Sequence, residues 1–76
     1  SVYPNPVKDY LNVATLDMAE TSIDIYNSTG KLVYSTVEQV SATEPLQIDM
    51  RDYAPGTYSV QVAFGGKEYR KNVVKL

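Results

Sequence analysis

The chain has 76 residues, 43% of them hydrophobic, a formal charge of −2, and no cysteine, histidine or tryptophan. A chain this short buries only about 60% of the surface its unfolded form exposes, and without cysteine it has neither a disulfide framework nor a thiolate metal site. No apolar run approaches the roughly 18 residues of a transmembrane helix, and the missing histidine and cysteine remove the commonest general base and the thiolate nucleophile. The expectation is a protein that is not an enzyme and holds no cofactor or metal.

The chain opens Ser1-Val2-Tyr3-Pro4-Asn5-Pro6. Each proline fixes φ and removes a backbone donor, so this stretch is neither helix interior nor the middle of a sheet. It marks a stop and a turn at the edge of a first strand. No positively charged segment leads an apolar run here, so any targeting peptide is expected outside these residues, and the abrupt start suggests a module from the end of a longer chain.

From there the apolar residues recur with a period of two, which is the signature of half-buried strands. Leu11 and Val13 alternate with Tyr10, Asn12 and Ala14, after which Asp17-Met18-Ala19-Glu20 reads as a short polar link. Ile23 and Ile25 alternate with Ser22, Asp24 and Tyr26, and Asn27-Ser28-Thr29-Gly30 turns the chain into Lys31-Leu32-Val33-Tyr34. Asn27-Ser28-Thr29 also matches the glycosylation acceptor triplet, but Asn and Gly stand where a hairpin turn wants them. Val37 to Thr43 reads as a strand end followed by a loop that Pro45 breaks.

Leu46, Ile48 and Met50 form the next alternation, and Arg51 to Gly56 is a loop closed by Pro55-Gly56. Tyr58, Val60 and Val62 follow, and Gly65-Gly66 joins Phe64 to the last run, Lys67 to Leu76, as a tight hairpin. Seven of the eight aromatics are tyrosine, which buries a ring while its hydroxyl reaches water or a carbonyl. Six or seven short strands with no helical pattern predict a single all-β domain over residues 1–76. The expected architecture is a small antiparallel β-sandwich with immunoglobulin-like connections.

Residues that carry chemistry are few. Asp49 with Asp52, or Asp17 with Glu20, is a conceivable carboxylate dyad, but a thin sandwich has no deep cleft to separate their pKa values. Asp9 with Asn12, or Asp49 with Asp52, offers oxygen ligands for calcium without the spacing of a calcium loop. The two carboxylate pairs read more simply as solvated loop charge.

Charge distribution says more. Residues 1–66 carry Lys8, Lys31 and Arg51 against eight acidic side chains, a net of −5, while residues 67–76 carry Lys67, Arg70, Lys71 and Lys75 against Glu68, a net of +3. In a strand, Lys67, Lys71 and Lys75 share one face with Tyr69 and Val73, and Arg70 shares the other with Val74 and Leu76. Lysines on an edge strand blunt edge-to-edge aggregation, but they also suit a docking strand. Four cations on an acidic domain give little counterion release, so nucleic acid is not an expected partner.

Four features coincide in order. They are Tyr3-Pro4-Asn5-Pro6 before Leu11-Asn12-Val13, then Ile23-Asp24-Ile25-Tyr26 running to Gly30-Lys31-Leu32-Val33, then Ile48-Asp49-Met50 before Ala54-Pro55-Gly56-Thr57-Tyr58, and the final Lys71-Asn72-Val73-Val74-Lys75-Leu76. Together, over nearly the whole chain, they resemble the type A C-terminal sorting domains of type IX secretion cargo in Gram-negative Bacteroidetes.

The resemblance implies a domain at the carboxyl end of a large exported protein that crosses the inner membrane, passes through the periplasm and is recognised by the outer-membrane translocon. A sortase-like protease then removes it and anchors the cargo at the cell surface. The domain is a substrate in that scheme, and the catalytic residues belong to the partner. The residues matching the family's motifs are Pro4, Asn5, Pro6, Gly30, Lys31, Pro55, Gly56 and Tyr58.

Tyr58 is expected to have a structural part, its ring inward and its hydroxyl bonded to loop backbone as in a tyrosine corner. Translocon recognition is expected at Lys71, Asn72, Val73, Val74, Lys75 and Leu76 by strand addition. On that reading, deleting Val73 to Leu76 blocks export and leaves the fold largely intact. An exposed edge also admits a homodimer, through edge pairing or an exchanged terminal strand. The competing reading is an immunoglobulin-like accessory module that binds carbohydrate or a surface protein, with Tyr26, Tyr34 and Tyr53 as stacking residues.

Overall fold

The period-two alternation resolves, in a computed structural model that describes residues 1–76, into seven strands: β1 (Val2–Tyr3), β2 (Tyr10–Val13), β3 (Ala19–Tyr26), β4 (Leu32–Val40), β5 (Leu46–Asp49), β6 (Gly56–Phe64) and β7 (Lys67–Lys75). All pairing between strands is antiparallel, in a three-stranded sheet of order β1-β2-β5 and a four-stranded sheet of order β4-β3-β6-β7. The protein is therefore the all-β sandwich that the alternation predicts. Strand order is that of an immunoglobulin-like fold, with consecutive strands passing between sheets rather than forming a simple meander.

Register explains which side chains meet. In the small sheet Val2 lies opposite Val13 and Leu11 opposite Ile48. In the large sheet Ile25 stands between Tyr34 and Val60, Ile23 between Thr36 and Val62, and Tyr58 opposite Val73. The two inner faces close on one apolar cluster in which Leu11, Val13, Ile23, Ile25, Met50, Val60 and Val73 are wholly buried. Full burial of such a side chain stabilises by roughly 1.5–3 kcal/mol.

The turns follow their residues. Gly65 and Gly66 both take positive φ, 57° and 75°, the pairing that a two-residue hairpin between right-twisted strands needs. At the β3–β4 turn Gly30 has φ 85°. Asn27 closes that turn from inside: its Oδ1 accepts from the Thr29 and Lys31 N–H groups at 3.1 and 2.9 Å and from the Thr29 hydroxyl at 2.7 Å. The carboxamide is thus committed to the turn.

Two boundaries differ from expectation. Ala19 and Glu20 belong to β3 rather than to a link, because pairing with Gln39 and Val40 of β4 carries the ladder past the last apolar alternation. A two-residue strand, β1, also precedes the prolines. It was hidden by its shortness and is held by pairing with Asn12 and Val13.

Candidate recognition surface

β7 forms one edge of the large sheet, and its cationic face is turned differently from a simple docking strand. The face bearing Lys71, Val73 and Lys75 points inward: Val73 is fully buried and Lys75 is 6% exposed. Its stem packs beside the core while Nζ donates to the Leu76 carbonyl at 2.8 Å. Lys71 is exposed, but its Nζ reaches across the sandwich to donate to the Val2 carbonyl of β1 at 2.8 Å. β1 and the segment after it lie across from β7, as the Lys71–Val2 bond and the Val7–Lys75 bridge show. Long lysine stems run along the apolar interior and bring their heads to the rim.

The backbone edge of β7 is also partly taken. The segment Pro4–Val7 crosses from β1 to lie along the last residues of β7, with the Tyr3-Pro4 and Asn5-Pro6 bonds both cis. Val7 N–H donates to the Val74 carbonyl at 2.8 Å, and Leu76 N–H to the Val7 carbonyl at 2.9 Å. The Asn5 carboxamide completes the seam, Nδ2 donating to the Asn72 carbonyl at 3.2 Å and Oδ1 accepting from Val74 N–H at 3.0 Å. This corrects the expectation that the backbone of the whole Lys71–Leu76 segment is free for a partner strand. Its C-terminal half is already occupied from within the chain.

Asn5 is thus a side chain standing in for a strand. Asn5→Ala is expected to remove both carboxamide bonds, each worth roughly 0.5–1.5 kcal/mol net, and to lower Tm by roughly 4–24 °C in a domain of this size. Asn5→Asp keeps the acceptor for Val74 and should fall between Ala and wild type. Calorimetry on the three proteins checks the order.

The other motif residues hold local structure. Tyr58, 7% exposed, turns its ring inward and donates its hydroxyl to the Ala54 carbonyl at 2.7 Å, four residues back across Pro55-Gly56. The Tyr53 ring packs against it, centroids 5.7 Å apart, and the Tyr53 hydroxyl donates to the Val33 carbonyl at 3.3 Å. Burial raises the Tyr53 hydroxyl pKa, with Tyr34 and Tyr58 adding to the effect, and burial with nearby Glu38 raises that of Tyr34. Tyr34 and Tyr53 sit on the inner side, whereas Tyr26 pairs with outward-facing Ser59. The three tyrosines do not form one stacking platform.

The carboxylates have their own commitments. Asp49 forms a bidentate pair with Arg51, Oδ1 to Nε at 3.0 Å and Oδ2 to Nη2 at 2.8 Å, and the guanidinium lies 5.2 Å from the Tyr10 ring centroid. The Arg51 side chain, then its backbone N–H, lowers the Asp49 pKa from 3.8 to about 2. A carboxyl depressed in the folded state contributes stability above its unfolded pKa and loses it as pH falls through the folded one. The contribution should hold above about pH 4 and fade toward pH 2. An NMR titration of Asp49 should give a midpoint of about 2, and Arg51→Ala should return it to the ordinary value of about 3.9.

A second feature lies beside β7. Beneath Tyr69 to Lys71 a groove of about 320 Å³ opens between the sheets, lined by Ala14, Leu16, Val62, Phe64, Tyr69 and Arg70 among others. Leu16 is 94% exposed, and the Phe64 and Tyr69 rings stack with centroids 5.6 Å apart. The groove was not legible in the sequence. Its walls come from loop and strand residues far apart in the chain.

The fold and this surface define an immunoglobulin-like β-sandwich in which residues from both ends of the chain meet along β7. The sequence profile of the secretion system C-terminal sorting domain family matches residues 1–76, and the chain belongs to that family. The domain is a C-terminal sorting signal for type IX secretion, which directs export to the cell surface or beyond in Gram-negative Bacteroidetes. None of the curated proteins matches the chain.

Proposed function

We propose that the type IX translocon reads this domain as a folded unit, with the terminal segment Lys71–Leu76 among the residues it contacts. The cargo then passes from the periplasm to the outer surface, where a sortase-like protease removes the domain and couples the cargo to an anionic surface polysaccharide. In this scheme the domain is a substrate, and the catalytic groups are the protease's.

The observation that supports a folded signal is the seam between two of the motif segments. Asn5 and Val74, 69 residues apart in sequence, are joined by a 3.0 Å hydrogen bond. Residues that mark the family are brought together only by folding. On the terminal segment Val74 is 45% and Leu76 61% exposed, apolar side chains available to a partner without disturbing the core.

The test is a periplasmic reporter fused to the domain in a bacterium with a type IX system. Wild type should appear at the surface, and Val74→Ser with Leu76→Ser should lower surface reporter several-fold while Tm stays within about 8 °C of wild type. Undiminished export of that double variant would remove the terminal segment from the contact surface.

A further inference from the structure

We propose that the N-terminal half of β7, with the groove beneath it, binds an extended acidic segment of a partner protein by strand addition. The proposal rests on the sorting-signal reading and says where on the domain the partner lies. Asn72, Val74 and Leu76 turn backbone groups away from β6 toward the Pro4–Val7 segment. Alternation along an antiparallel strand turns the N–H and C=O of Glu68 and Arg70 the same way. No hydrogen bond from another part of the chain reaches them. The same edge is therefore closed over its second half and open over its first.

The protein itself shows how a segment sits on this edge. Val7 bridges Lys75 in parallel while its side chain is wholly buried between the sheets. An added strand over Glu68–Arg70 would likewise send alternate side chains inward, where Leu16, Val62, Phe64 and Tyr69 line an apolar slot. Cations rim the site: Lys67, Arg70 and Lys71 are all exposed, on a segment whose net charge is opposite to the rest of the domain. A segment alternating apolar with acidic residues matches backbone, slot and charge together.

The free edge of β4 provides the contrast. By the same alternation Ser35, Val37 and Gln39 turn their backbone groups outward, but Glu38 is the one charged side chain of β4, whereas Lys67, Arg70 and Lys71 outnumber Glu68 on β7, and the hollow beside Val37 is lined mostly by polar residues. Proline is tolerated on an edge strand where the N–H faces solvent, so Arg70→Pro and Val37→Pro each remove one outward donor and leave the ladder inside the sheet intact.

With the same surface reporter, Arg70→Pro should reduce export at least about tenfold, the effect of losing one strong docking interaction, and Arg70→Glu several-fold. Val37→Pro should export as wild type. Should Arg70→Pro fail to fold, Arg70→Glu, which leaves the backbone unchanged, decides: normal export overturns the proposal. Wild-type export by a folded Arg70→Pro also overturns it, and if Arg70→Glu alone then fails, the edge meets an anionic surface such as lipid headgroups through charge. Equal loss in Val37→Pro, or a concentration-dependent dimer that Arg70→Pro abolishes, overturns it as well, the latter in favour of a second copy. A wild-type reporter that stays in the periplasm would instead overturn the sorting-signal reading itself.

Discussion

Deletion of Val73 to Leu76 should unfold the domain, not merely blind the translocon to it. The deletion removes Val73, fully buried opposite Tyr58, whose burial is worth roughly 1.5–3 kcal/mol. It also removes three of the four hydrogen bonds from Asn5 and Val7, each worth roughly 0.5–1.5 kcal/mol, and the buried stem of Lys75. A net stability of roughly 0.05–0.15 kcal/mol per residue leaves little margin in a chain of this length. The expected result is loss of the cooperative thermal transition and of amide dispersion in the NMR spectrum. A truncated protein that keeps a cooperative transition near the wild-type Tm would show that the Asn5 seam contributes little. The sequence predicts the opposite, a dispensable tail, because a terminal strand with four cations reads as solvent-exposed. Only the register shows its lysine face turned to the core.

Ile25→Ala should lower Tm by roughly 8–40 °C, from a cost of about 2–5 kcal/mol for a wholly buried isoleucine and about 4–8 °C per kcal/mol in a domain of this size. Ile25 is fully buried at the centre of the large sheet, between Tyr34 of β4 and Val60 of β6. Neighbours on both sides leave little room for collapse into the cavity. Ile25→Val, which removes one methyl group, should cost only about 0.5–1.5 kcal/mol. In the reporter assay the alanine variant is expected to lose export in proportion to its unfolded fraction at growth temperature, with the valine variant close to wild type. Normal export of an Ile25→Ala domain shown by circular dichroism to be unfolded would mean that the signal is read as a linear peptide. Because Ile25 lies on β3, with β6 between it and the docking edge, this result separates folding from contact.

The two variants divide the surface problem cleanly. A folded signal lost through its core should be restored by lowering the temperature, since stability returns while the surface is unchanged. Loss at Arg70 should persist at every temperature at which the domain is folded. Comparing surface reporter at two growth temperatures distinguishes the cases without knowledge of the partner.

Much of this protein was determined by its sequence alone. The apolar alternation at Leu11–Val13, Ile23–Ile25, Ile48–Met50 and Tyr58–Val62 set the strands and their buried faces, because the side-chain period of a strand is two and one face must leave water. Gly30 and Gly65-Gly66 placed two turns through the positive φ that glycine adopts without steric cost. The motif order carried the family resemblance. Tertiary structure alone decided that Asn5 pairs with Asn72 and Val74, that Lys75 is buried, and that half of the β7 edge is closed while the other half lies open above an apolar groove. These depend on how the two sheets stack and on where a segment from the other end of the chain comes to rest. Local residue preferences act over a few positions, whereas contacts spanning 69 residues arise only when the two sheets close.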